Sequence, residues 1–268
     1  MAETGTSTPR ERYRAQVRAE IKQRAWEQIA TAGASGLSLN AIAKQMGLSG
    51  PALYRYFAGR DELITALIRD AYRSLADAFR TASAAGTGLT GAAHTLRAWA
   101  LADPQRYFLV YGTPVSGYHA PDDVTALAAE IMTSLLDASV EATAHDDPAH
   151  DGPAPAPGGP ADSGDDPATG FTARLEGLGR QWADGHPAPP AALRRALAFW
   201  TRLHGVLSLE LAGHFTGMGF DPAHLFTAEL ATLTDREDGD REGGSREDGD
   251  RKGGGTGHGG PEDDRRSG

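Results

Sequence analysis

The stretch 38–57, SLNAIAKQMGLSGPALYRYF, limits what this chain can fold into more than any other. Leu39, Ile42, Ala43 and Met46 fall at i, i+3, i+4 and i+7, one apolar stripe on a helix. Ser38 precedes the stripe, where its hydroxyl accepts from the first unpaired N–H groups. Gly47 follows it, where the backbone enters the left-handed region at little cost. Ser49 caps a second helix, and Pro51 suits its first turn. Leu53 and Phe57, four apart, point back to the core. Gly50, Ala52, Tyr54, Arg55 and Tyr56 are left on the other side, a surface with one cation, two phenols and no acid. A helix–turn–helix presents such a surface to phosphates and base edges. The competing reading is a plain helical hairpin within a bundle. Ala43 at the helix crossing and Gly47 at the sharpest point of the turn argue against it.

A net charge of -10 opposes nucleic-acid binding until its distribution is resolved. Residues 1–60 hold nine Lys/Arg against four Glu, a net +5, so the remaining residues carry -15. A basic end on an acidic chain confines DNA affinity to that end. Cysteine is absent, which excludes disulfides and thiolate metal sites and fits a reducing compartment. No apolar run approaches the roughly 18 residues of a membrane span, and the N-terminus lacks a secretory core. The expectation is a cytoplasmic protein with no membrane partner.

No strand pattern of any strength occurs, so the predicted class is all-α. Residues 1–9 read as a disordered N-terminus. A helix follows from about Arg10 to Ala32, with Val17, Ile21, Ala25 and Ile29 inward and arginines in its first turns, near the DNA backbone. A DNA-binding domain spans 10–75. After AGRDEL a helix runs to about Ala84, too long to belong to a three-helix module alone. A helical second domain spans 76–234. It holds helices from about Leu89 to Ala102, at Pro104, from about Asp122 to Ala144, from Pro190 to Phe215 and from Asp221 to Leu233. A modest helix is expected over 171–183. Residues 145–170 are too rich in Gly, Pro and Asp to bury a core and read as a flexible insertion. Residues 235–268, with REDGDR twice, read as a disordered charged tail.

From Ala41 to Leu63 the chain carries I-A-x-x-M-G-L-S, then P-A-L-Y-R-Y-F, then G-R-D-E-L. This resembles the DNA-binding domain of the tetracycline-repressor (TetR/AcrR) family of bacterial transcription regulators. Trp200, His204 and Gly205 in WTRLHGVLSLELAGHF resemble the variant of its C-terminal domain named for Trp-His-Gly, as does YGTPVSGYHAP. The resemblance implies a homodimer whose two reading helices meet a pseudo-palindromic double-stranded operator. By position it implies phosphate contacts at Ser38, Leu39, Ser49, Tyr54 and Arg60, and base-edge contacts at Asn40, Gly50, Ala52, Arg55 and Tyr56. Pro51 belongs to the same surface. It implies a small-molecule effector in the second domain, for which Trp99, Tyr107, Phe108, Tyr111, Tyr118, Trp200 and His204 are wall candidates. The same aromatics also read as ordinary core. The two last long helices are implied as the dimer interface, with Leu207, Leu211, Phe215, Leu225, Phe226 and Leu230 as its candidates.

Catalysis is not expected. Ser116, His119 and Asp122 have the residue types of a hydrolase triad, but share one Gly/Pro loop without a strand or a G-x-S-x-G elbow. His145 and His150 lack fixed spacing on a rigid element, so no metal or other cofactor is expected. The expected function is a ligand-responsive regulator, most naturally a repressor. The alternative is a helical ligand-binding or interaction protein without specific DNA binding.

Overall fold

The computed structural model describes residues 8–112, 118–146 and 185–234. Every regular element among them is helical: α1 (Pro9–Ala32), α2 (Leu39–Gln45), α3 (Gly50–Tyr54), α4 (Arg60–Ala84), α5 (Gly88–Ala102), α6 (Pro104–Tyr111), α7 (Asp122–Asp146), α8 (Pro190–Leu211) and α9 (Pro222–Thr234), with one 3-10 turn after α1. The expectations for residues 1–7, the central part of the 112–123 loop, the helix over 171–183, the tail and nearly all of the 145–170 insertion lie outside the described residues.

The boundaries have local causes. α1 begins at Pro9, capped by Thr8 in a reciprocal box: the Thr8 side chain accepts from Glu11 N–H, and Glu11 reaches back to Thr8 N–H at 2.8 Å. The sequence reading placed this residue in a disordered end and missed the T-x-x-E signal. Glu11 also sets an acid against the positive end of a helix whose first turns are rich in arginine. Thr8→Ala is expected to cost about 1 kcal/mol and to fray the first turn, read as faster amide exchange at Glu11 and Arg12. At the far end of the chain, α8 stops at Leu211 and does not continue to Phe215. Gly213 takes φ +77°, its N–H donates to Glu210 O, and His214 N–H donates to Leu209 O. This paired closure terminates a helix, so Gly213 is an end signal.

The buried residues form two cores. One gathers Ile21, Ala25 and Ile29 of α1, Ile42 and Ala43 of α2, Leu53 of α3, Phe57, and Leu63, Ile64 and Leu67 of α4. The other gathers Leu75 and Phe79 of α4, Leu96 and Trp99 of α5, Tyr107 of α6, Ile131 and Leu135 of α7, Phe199, Leu203 and Leu207 of α8, and Phe226 and Leu230 of α9. α4 passes from the first to the second between Ile68 and Ala71. Tyr72 packs against both. α6 is shared as well, since Leu109 enters the first core while Tyr107 lies in the second.

Candidate DNA-binding surface and the aromatic core behind it

α2 and α3 are short, so their ends do much of the positioning. The Ser38 hydroxyl accepts from Ala41 N–H and the Ser49 hydroxyl from Ala52 N–H, each at 3.3 Å. Gly47 at φ +66° closes α2: its N–H donates to Lys44 O and Leu48 N–H donates to Ala43 O. The chain thereby reverses within four residues and lays α3 beside α2. A Cβ at Gly50 would stand 4.0 Å from Asn40 Oδ1, which places these two base-edge candidates side by side.

The candidate residues divide by exposure. Asn40, Pro51, Tyr54 and Arg55 are open to solvent, Tyr54 at 48 %. Gly50 and Ala52 lie between them, half-buried. Leu39 is buried in the first core, which leaves only its backbone for a phosphate. Tyr56 is half-buried against the same core. Arg60 turns back, its Nη2 donating to Ala34 O at 2.7 Å, so part of its fork ties α4 to the turn after α1. Sequence reasoning missed Gln28, whose Oε1 accepts from Ser38 N–H at 2.9 Å and registers α2 on α1. It also missed a stripe on α1. Arg14, Arg18 and Lys22, four apart, all reach across to later elements: Arg14 to Arg55 O, Arg18 to Tyr56 O, and Lys22 to Asp70. The four-residue spacing was the available signal.

The ligand-wall candidates are mostly in mutual contact. Tyr111 sits at the centre, edge-on to Tyr72, Trp99 and Trp200 and 4.5 Å from the His204 ring centroid. Trp200 lies 4.2 Å from His204, and Phe108 is edge-on to Tyr107. Tyr118 is separate and packs against the first core. Tyr107 Oη lies 3.1 Å from His204 Nδ1 and 2.8 Å from Ser208 Oγ, and Trp99 Nε1 donates to Ser74 Oγ at 2.9 Å. Two buried polar atoms in the cluster have no partner, the Tyr111 hydroxyl and His204 Nε2. Burial pushes the Tyr107 and Tyr111 phenols up and the His204 imidazole down to about 4, so all three are neutral near pH 7.

The dimer candidates differ in burial. Leu207, Phe226 and Leu230 are buried in the protomer's own core and have no surface left for a partner. Leu211, Phe215 and Leu225 are half-buried against that core. The outward faces carry Thr201, Gly205 and Leu209 on α8 and His224, Thr227 and Ala228 on α9. A Cβ on Gly205 would meet nothing within 4 Å. Periodicity located the stripe but could not tell which side of it was already covered.

A capped pair of short helices with an exposed, acid-free face on a basic module is the frame of a helix–turn–helix DNA-binding regulator. Two family models match the chain: that of bacterial regulatory proteins of the tetR family over residues 21–67, and the tetracyclin repressor-like C-terminal domain over 89–233. The HTH-type transcriptional regulator Rv1816 of Mycobacterium tuberculosis is 32% identical over 242 residues, covering 87% of this chain and 97% of that protein. A Mycobacterium bovis HTH-type regulator, Mb1846, matches to the same extent. Among solved structures, SCO4313, described as a regulatory protein, is 65% identical at a TM-score of 0.70, covering 84% of this chain and 98% of that one. A Rhodococcus protein at 20% identity and a TM-score of 0.56 shares the fold. The chain belongs to the TetR family of transcriptional regulators, a family that is not enzymatic. Among the described residues no helix is long and apolar enough to cross a membrane.

Proposed function

We propose that the protein is a cytoplasmic repressor that binds a pseudo-palindromic operator as a homodimer and is released by a small molecule. The observation that carries the reading is the exposed group Asn40, Tyr54 and Arg55 on a frame fixed by two serine caps. Arg55 is the best direct reader, because its fork matches the two acceptors of guanine. Arg55→Ala is expected to weaken operator binding by about 1–3 kcal/mol while leaving scrambled DNA nearly unaffected. Equal losses on both duplexes would remove Arg55 from base readout.

The outward face of α8 and α9 supports the dimer. Leu209 is 44 % exposed there, and Gly205 leaves room for a second helix to approach. Leu209→Glu is expected to shift the protein to monomer in sedimentation velocity at micromolar concentration and to lower operator affinity with it. An unchanged dimer would place the interface elsewhere.

The unpartnered Tyr111 hydroxyl and His204 Nε2 support the aromatic cluster as the effector's seat, since buried polar atoms without partners are costly until something meets them. The Trp200, His204 and Gly205 sequence accords with the Trp-His-Gly type of C-terminal domain. α6 supplies a route to the DNA module: Tyr107 and Tyr111 face the cluster while Leu109 is buried in the first core. A ligand that moves α6 thus changes packing against α1 and α4, which is a coupling between two sites. The experiment is a mobility shift on DNA flanking the protein's own coding region, with a small-molecule panel. Specific retardation that one compound abolishes supports the reading, and retardation of no sequence over another refutes it.

A further inference from the structure

We propose that Arg18, assisted by Arg14, is a positioning residue for the recognition helix α3, not a contact to the DNA backbone, and that it sets base discrimination from outside the groove. The inference rests on base readout by α3 and Arg55.

α3 has five residues, far below the length at which a helix holds itself, so its direction is set by what grips its ends. Its start is gripped by Ser49. Its final carbonyls, like those of any helix, have no partner within the helix. Ala52 O and Leu53 O take theirs from the N–H groups of Arg55, Tyr56 and Phe57, and the two carbonyls that follow the helix are held from α1. Arg18 Nη1 donates to Tyr56 O, and Arg14 Nη2 donates to Arg55 O at 3.3 Å. Both acceptors are backbone oxygens at the very residues that follow α3, one of them on the proposed base reader.

The Arg18 guanidinium is held on two further sides. It lies 4.1 Å over the ring of the fully buried Phe57. Its Nη2 stands 3.7 Å from Glu62 Oε1, while Glu62 Oε2 accepts from Ala58 N–H at 2.6 Å. One side chain therefore joins α1, the end of α3 and the first turn of α4. A positive group at the negative end of α3 is also favourable to the helix dipole. The carbonyl, the ring and the carboxylate together fix the direction of the fork toward the end of α3. Arginine is suited to the post because its planar fork bonds and stacks at once, whereas the single ammonium of lysine cannot hold the carbonyl, the ring and the carboxylate in one geometry.

The test uses the full chain, the duplex it selects from a random library, and a scrambled duplex of equal length, titrated at several salt concentrations. Arg18→Lys keeps the charge and removes the fork. Its specific-to-scrambled affinity ratio is expected to fall about tenfold, the size of one charged hydrogen bond, with scrambled affinity and the salt slope unchanged. Arg14→Lys should shift the ratio in the same direction by less, because Arg14 holds only one carbonyl. Arg18→Met should resemble Arg18→Lys in its ratio. If it does not fold, the two lysine variants decide. Arg18→Lys behaving as wild type, or Arg18→Met losing equally on both duplexes with a slope reduced by about one, would make Arg18 a phosphate contact and overturn the inference. A wild-type protein that selects no sequence would instead remove the base-readout reading beneath it.

Discussion

Phe57→Ala is expected to remove about 3–5 kcal/mol of stability and to abolish specific DNA binding at physiological temperature. The ring is fully buried immediately after α3, in the core that joins α1, α2 and α4. Its loss leaves a cavity under the recognition helix and takes away the surface on which the Arg18 guanidinium rests. Total stabilities of about 5–15 kcal/mol leave little margin after such a loss. Amide exchange should rise across α1 to α3 and the first half of α4 before it rises in α8, because Phe57 belongs to the first core alone. A denaturation midpoint within experimental error of wild type would show that the ring is not part of the packing.

The second large effect is acid destabilisation through His204. Burial among Tyr107, Tyr111 and Trp200 holds its pKa at about 4, against an ordinary value of 6.5. Between those values the unfolded chain binds a proton that the folded chain refuses. Stability is therefore complete above about pH 6.5 and falls as the pH drops toward 4, by up to roughly 3 kcal/mol. Urea midpoints at pH 7 and pH 4.5 measure it. Wild type should lose more than His204→Gln across that interval, since all other titrating groups are common to both. Parallel losses would mean that the imidazole is solvated in the folded protein. The neutral state also bears on the proposed effector site. A protonated His204 would leave a charge among aromatic rings, so effector affinity and fold integrity should weaken over the same pH interval.

The turn between α2 and α3 was largely legible because it is built from local signals. Ser38, Gly47 and Ser49 are caps and a turn whose chemistry needs only near neighbours, and each performs the expected task. The two-core arrangement was half legible. The α4 stripe showed a helix too long for one module, but not that Tyr72 and Leu109 would bind the modules together. The burial of the dimer candidates was illegible for a related reason. A wide apolar arc on α8 does not reveal which part faces the protomer, so Leu207 was taken outward while Leu209 went unremarked. Tertiary hydrogen bonds were the least legible. Arg18 and Tyr56 are 38 residues apart, and nothing local distinguishes an arginine bound for a carbonyl from one bound for a phosphate.

The central claim is that two copies of the α2–α3 face read one pseudo-palindromic site. Sedimentation velocity of the protein with the duplex it selects, and with a duplex carrying only one half-site, tests it most directly. The predicted result is a complex of two chains on the full site and a large loss of affinity on the half-site. A single chain bound with equal affinity to both duplexes would contradict it.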